Sequence, residues 1–177
     1  AIRHGELAGV VLFAASFPSR AAGRKLIARL QAIRRPPALR DPLLIMVDQE
    51  GGQVKRVSGA PNASAQQMGA RGAAFSREQG RLTARNLRDL GINVDLAPVL
   101  DVARSGGVIA ATERGFGASA QRVVATAVPF AEALQHGGVA ATGKHFPGLG
   151  SAPENTDFAV QRIGVSKTNG TIELSLL

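Results

Sequence analysis

The chain has 177 residues, 45% of them hydrophobic, and a formal net charge of +8. That length suits one domain, and no apolar run approaches the roughly 18 residues of a membrane span. With no Cys, Trp or Tyr, disulfides and thiolate metal sites are excluded, and redox chemistry does not indicate a compartment.

The chain opens AIRHGELAGVVLF, without an initiator Met or a signal-peptide pattern, and reaches a strand almost at once. An N-terminus lying further upstream is therefore expected, which leaves localisation unassigned. GVVLF (9–13) is a short apolar run. The spacing of Ala22, Leu26, Ile27, Leu30 and Ile33 predicts a helix over 20–35, ended by Pro36-Pro37. LLIMVD (43–48) is the next strand, stopped by Gly51-Gly52. A polar, Gly- and Ala-rich stretch leads to Ser76-Arg77-Glu78-Gln79, which has the form of a capping box. Leu82, Leu87 and Leu90 carry that helix to Gly91, suited to a left-handed end.

INVDLAPVLDV (92–102) predicts the third strand and its exit loop. Ser119 can cap a further helix bearing Val123, Ala127, Phe130 and Leu134, with a kink or a local irregularity expected at Pro129. VAATG (139–143) is the fourth strand. Apolar strands separated by helices argue for an α/β protein whose parallel sheet is covered on both faces. A doubly wound open sheet fits, and so does part of a (β/α)8 barrel, which takes about 250 residues when complete.

Two motifs invite readings that fail on their surroundings. Gly138 through Lys144 satisfies G-x-x-x-x-G-K, but His145 replaces the hydroxyl residue, and Phe146-Pro147-Gly148 cannot open a helix. A nucleotide-binding P-loop is therefore not expected. The basic charge also suggests nucleic acid. However, Arg77, Arg81, Arg85 and Arg88 are spaced as one solvated helix face, with no aromatic platform for bases. Attraction to an anionic polymer such as a cell-wall glycan stays open.

The polar residues that interrupt the apolar runs gather at strand ends: Asp48-Gln49-Glu50, Asp95, Asp101, Thr112-Glu113-Arg114 and Lys144-His145. In parallel α/β proteins these ends converge on the site. Asp48, beside Gly51-Gly52, and the Lys144-His145 pair read as ligand contacts. Asp101 reads as a structural loop cap, and Arg114 as either a site residue or an ion-pair partner. His136 falls in a helix's last turn, where a dipole interaction suffices.

Together VDQEGGQVKR (47–56), APVLDV (97–102), TERGFG (112–117) and ATGKHFPGLG (141–150) resemble family 3 glycoside hydrolases, most of all the β-N-acetylglucosaminidase branch. The resemblance implies part of a (β/α)8 TIM-type barrel, roughly strands two to five of eight, over residues 1–167. Residues 168–177 form an unmatched tail. It further implies retaining hydrolysis of terminal β-linked N-acetylglucosaminyl residues, with a carbohydrate or muropeptide substrate and no metal or organic cofactor. Asp48, Arg114, Lys144 and His145 match the residues that hold the sugar.

Where many members of the branch carry Asp-Ser-His, this chain has Asn155-Thr156-Asp157. Asp157 thereby becomes the expected acid/base and Asn155 the residue that orients it, with Glu154 a weaker substitute. The family's nucleophilic aspartate lies on a later strand that nothing in this chain matches, so the chain alone is expected to be inactive. Two other readings remain. Lys144 can serve as the Schiff-base lysine of an aldolase-type barrel, or the chain can be a non-catalytic sugar-binding half-barrel that aggregates or pairs through its uncovered edges.

Overall fold

The computed structural model describes residues 1–156, 158 and 160. In chain order it holds β1 (Gly9–Val11), α1 (Arg20–Gln31), β2 (Leu44–Val47), β3 (Gln49–Gly51), β4 (Val54–Lys55) and α2 (Ala65–Arg71). These are followed by α3 (Ala73–Arg88), β5 (Val94–Asp95), α4 (Val108–Ala111), α5 (Ala120–His136) and β6 (Ala140–Ala141).

Four strands make one parallel sheet in the order β1-β2-β5-β6, and β3-β4 form a separate antiparallel pair. Each strand of the parallel sheet lies beside the next in sequence. A doubly wound sheet reverses direction at a switch point, whereas a barrel winds in one sense. The monotonic order therefore selects the partial barrel over the open sheet.

The expectation that both sheet faces are covered does not hold among the described residues. Ile45 and Val47 of β2 are fully buried, while Leu44, one residue away, is 42% exposed. Val11 is 40% exposed, and Ala140 and Thr142 are open as well. Alternate residues of a strand face opposite ways, so the described helices cover one face. The core on that side joins Ile27 of α1, Leu87 of α3, and Phe130 and Leu134 of α5 to Ile45 and Val47. Phe116 and Phe130 meet at 6.2 Å with tilted rings, a favoured aromatic geometry.

The helices start and stop for identifiable reasons. Ser19 Oγ caps α1 by accepting from the Ala22 amide. The helix ends at Gln31, short of the expected Arg35. Gln31 is instead a clamp, its amide group donating to the Leu43 carbonyl and accepting from the Leu43 amide.

The capping box expected at Ser76 is found at Ser64, which caps α2 reciprocally with Gln67. The sequence SAQQ has the same S-x-x-Q form, one helix earlier. Ser76 is buried inside α3 and donates to the Thr126 carbonyl of α5 at 2.6 Å. Gly91 has the expected positive φ, +87°, just beyond α3. The kink expected at Pro129 is not a break: α5 continues from Ala120 to His136. The carbonyl that loses its partner belongs to Ala125, which faces solvent.

The strands are shorter than the apolar runs suggested. Beyond β5 the chain enters a cis Ala97–Pro98 peptide, and proline has no amide to donate. Pairing resumes outside the regular strands, where the Lys144 amide donates to the Pro98 carbonyl and the Leu100 amide to the Lys144 carbonyl. That stretch brings 98–101 alongside 144–145.

Candidate active site

Asp48 directly follows β2, and Glu50 lies two residues on in β3, so both carboxylates leave the sheet at its C-terminal edge. The turn carrying them is pinned from inside. Gln49 is fully buried; its side chain donates to the Val57 and Ala60 carbonyls and accepts from the Arg56 and Val57 amides. Gly51 follows with φ +95°, and a Cβ there would stand 2.2 Å from the Ala63 carbonyl. A larger residue cannot make this turn.

Lys144 and His145 follow β6 across a cis peptide bond. Lys144 Nζ lies 2.6 Å from Asp48 Oδ1 and 2.7 Å from Glu50 Oε1. Arg114 reaches Glu50 from the turn after α4, donating through Nε and Nη2 at 2.8 and 2.9 Å. Such a bidentate pair is among the stronger hydrogen-bonded contacts proteins make. Glu113, at φ 56°, turns the chain so that Arg114 points inward. Arg114 is largely buried, which works against its charge, but Glu50 and the neighbouring acids outweigh burial and raise its pKa.

His145 closes the network. Its Nδ1 lies 2.5 Å from Asp101 Oδ2, and its Nε2 lies 3.2 Å from Arg114 Nη2. Arginine only donates, so Nε2 accepts and Nδ1 carries the proton that Asp101 receives. Asp101 thereby sets the tautomer. Its other oxygen accepts from the Leu149 amide, anchoring the FPGLG loop. On the far side of Asp48, Arg56 Nη2 lies 3.6 Å from Oδ2.

Below this layer Asp95 is fully buried. Its Oδ1 accepts from the Gln49 amide, and its Oδ2 has no hydrogen-bond partner among the described residues. Burial pushes its pKa well above the ordinary carboxylate value; the Gln49 amide and the Lys144 charge oppose the shift without cancelling it.

The structure therefore brings Asp48, Arg114, Lys144 and His145 into one charged network. A cleft of about 570 Å³ opens beside it, lined by Arg114, Thr112, Gln53, Val108, Glu154 and Asn155, among others. Asn155 thus shares a wall with Arg114, while Asp157 lies outside the described residues. Among the described residues no helix follows Lys144, in agreement with rejection of the P-loop. Held between two carboxylates, Lys144 lacks the apolar or cationic setting that activates a Schiff-base amine.

Sequence pattern alone marks neither Glu50 as a site residue nor Asp101 as more than a loop cap. Glu50 is the hub, shared by Lys144 and Arg114. Its trace in the sequence is the period of two in Asp48-x-Glu50, which places both acids on one side of an extended segment. Asp101 does anchor a loop, but it also orients His145, a role only the fold reveals.

The described residues match known proteins along nearly their whole length. A β-hexosaminidase of Xanthomonas oryzae is 38% identical over 164 residues, covering 88% of this chain and 47% of that protein. A secreted glycosyl hydrolase of Arthroderma benhamiae is 37% identical, covering 92% of this chain and 47% of that protein. The chain thus spans about half the length of the curated relatives it matches.

Among solved structures, a family 3 β-N-acetylglucosaminidase from a Paenibacillus species superposes with a TM-score of 0.86 at 32% identity. That match covers 99% of this chain and 34% of the other. NagZ from Neisseria gonorrhoeae, solved with N-trifluoroacetyl-D-glucosamine, gives 0.82 at 27% identity, covering 96% of this chain and 51% of that one. The profile of the glycosyl hydrolase family 3 N terminal domain matches residues 1–167. With that match, the winding order of the strands and the charged network at their C-terminal ends, the chain belongs to glycosyl hydrolase family 3 as part of its N-terminal, barrel-type domain.

Proposed function

We propose that this domain binds the terminal β-linked N-acetylglucosaminyl residue of a glycan or muropeptide and serves a retaining glycoside hydrolase. The supporting observation is the network Asp48–Lys144–Glu50–Arg114–His145, whose charged groups stand at the C-terminal edge of a parallel sheet beside an open cleft. Sugar hydroxyls exchange both donor and acceptor bonds, and ionised partners make those bonds about twice as strong as neutral ones. Asp48 accepts from hydroxyls, while Lys144, Arg114 and the His145 ring fix the pyranose orientation.

Asp157 acts as general acid and then as general base, with Asn155 orienting it. A retaining mechanism needs a second carboxylate about 5 Å from the acid. Asp48, Glu50 and Asp101 are each engaged by cations or amides, and Asp95 is fully buried. None of these four is placed to attack an anomeric carbon. The nucleophile accordingly comes from outside the strands described here.

Two measurements test the reading. N-acetylglucosamine titrated into the chain should perturb the His145 ring signals in NMR spectra, and Lys144→Met should abolish that response. In a catalytically competent form of the enzyme, Asp157→Asn should remove activity on substrates with poor leaving groups. It should spare glycosyl-enzyme formation from an activated aryl glycoside. Equal loss on both substrates removes Asp157 from the acid role.

A further inference from the structure

The net charge is not spread over the molecule. Between Glu6 and Asp41 the chain carries no acid, yet this stretch contains six arginines and Lys25. Two of these have structural duties: Arg20 bonds Asn86 and the Ser58 carbonyl, and Arg24 bonds the Asp89 carbonyl. The side chains of Lys25, Arg29, Arg34, Arg35 and Arg40 make no hydrogen bond or ion pair with any described residue, nor does that of Arg3.

Arg3, Arg34 and Arg35 line one cavity of about 330 Å³ with Pro36 and Pro37. Arg3 precedes β1, and Arg34 and Arg35 precede β2, so this cavity lies at the N-terminal edge of the sheet, opposite the active site. Arg35 is only half-exposed, and it also borders a second cavity with Asp41 without forming an ion pair to it. Arg3 and Arg34 are exposed, and three like charges around one hollow repel each other. An anion seated among them relieves that repulsion. The two prolines restrict the backbone, so the cradle is largely formed before a ligand arrives.

We propose that this cradle is a second, non-catalytic binding site for a linear polymer bearing phosphate groups of the sugar-phosphate or polyol-phosphate kind, gripped by Arg3, Arg34 and Arg35. Arginine's fork matches a phosphate oxygen pair bidentately. The unpaired Arg29 and Lys25, one turn apart on α1, continue the basic track by about 6 Å. A polymer can follow such a track, whereas a single small anion would use only the cradle. No aromatic residue lies between Pro18 and Arg40 to stack bases or anchor in a bilayer. A phosphate polymer without bases or lipid therefore fits best. This inference does not depend on the sugar chemistry proposed above.

The test uses inorganic polyphosphate as the probe, with fluorescence anisotropy on the 177-residue chain over a series of salt concentrations. Arg34→Glu with Arg35→Glu should weaken binding by more than about tenfold and lower the salt slope by about two, one per lost phosphate contact. Arg85→Glu with Arg122→Glu makes the same change in net charge on α3 and α5, where both side chains are exposed, and should have far less effect. Arg34→Lys with Arg35→Lys keeps the charge and removes the fork. It should fall between wild type and the glutamate pair, while circular dichroism confirms the fold throughout. Equal weakening by the two glutamate pairs would reduce the effect to net charge and overturn the site. Tighter binding of single-stranded DNA, or of anionic phospholipid vesicles, than of polyphosphate would overturn the assigned ligand class.

Discussion

Asp95 and Glu50 are both buried acids beneath the same site, yet they are held in opposite ways. Glu50 has two cations on its carboxylate, whereas Asp95 has one amide and an unpartnered oxygen. Removing the Glu50 charge leaves Lys144 and Arg114 facing each other without their shared anion. Glu50→Gln should therefore cost about 3 kcal/mol in urea denaturation, the scale for breaking a buried pair. The exposed Glu78–Arg81 pair on α3 offers the contrast. Glu78→Gln should leave the midpoint nearly unmoved, since solvent already screens it.

For Asp95 the sign runs the other way. Its folded pKa lies above the unfolded value, so its stabilising contribution is complete below the ordinary carboxylate range and is lost as pH rises through the raised value. Asp95→Asn keeps the acceptor for the Gln49 amide and removes the ionisation. The variant should gain stability over wild type as pH increases, and the difference should close in acid. Parallel denaturation midpoints from pH 4 to 9 would show that Asp95 does not ionise with this penalty.

Among the elements, the α3–α5 pair shows packing overriding local preference. Gly80 sits in the middle of α3, where alanine would favour the helix by about 1 kcal/mol. A Cβ at that position would lie 2.5 Å from the Phe130 carbonyl and 3.1 Å from its Cα. Backbone cannot yield as a flexible side chain can, and overpacking costs typically 1–3 kcal/mol. Gly80→Ala should therefore destabilise the chain on balance, read as a lower thermal midpoint. A rise in that midpoint would mean that the helices slide apart cheaply. The Ser76 hydroxyl on the Thr126 carbonyl belongs to the same close approach. It also explains why a serine that looks like a cap in sequence is an interior contact in space.

At the scale of the whole molecule, the parallel sheet is wound like a barrel but covered on one face among the described residues. Val11, Phe13 and Leu44 are 40–58% exposed, and among the described residues β1 and β6 each pair on one side only. Unpaired strand edges beside an open apolar face favour association. The 177-residue chain should accordingly show a mass that rises with concentration in light scattering. Phe13→Ser should weaken that rise, whereas a compact monomer at all concentrations would mean that the open face is covered. The site lies at the C-terminal edge of the sheet and the arginine cradle at the N-terminal edge, so the two can be altered separately.

Composition and local pattern determined the alternation of strands and helices, the rejection of a P-loop and the gathering of polar residues at strand ends. The resemblance carried by four motifs implied that Asp48, Arg114, Lys144 and His145 act together. Such signals survive without coordinates because each strand end and each Gly- or Pro-bounded turn is encoded within a few residues. The tertiary structure decided what depends on partners distant in sequence. Among the described residues it showed one covered sheet face rather than two, because burial of alternate residues needs the neighbouring strands. It moved the capping box from Ser76 to Ser64, because a serine's role depends on which carbonyl lies opposite. It made Glu50 the hub and Asp101 the residue that orients His145, since contacts across 64 and 44 positions leave no local periodicity to read.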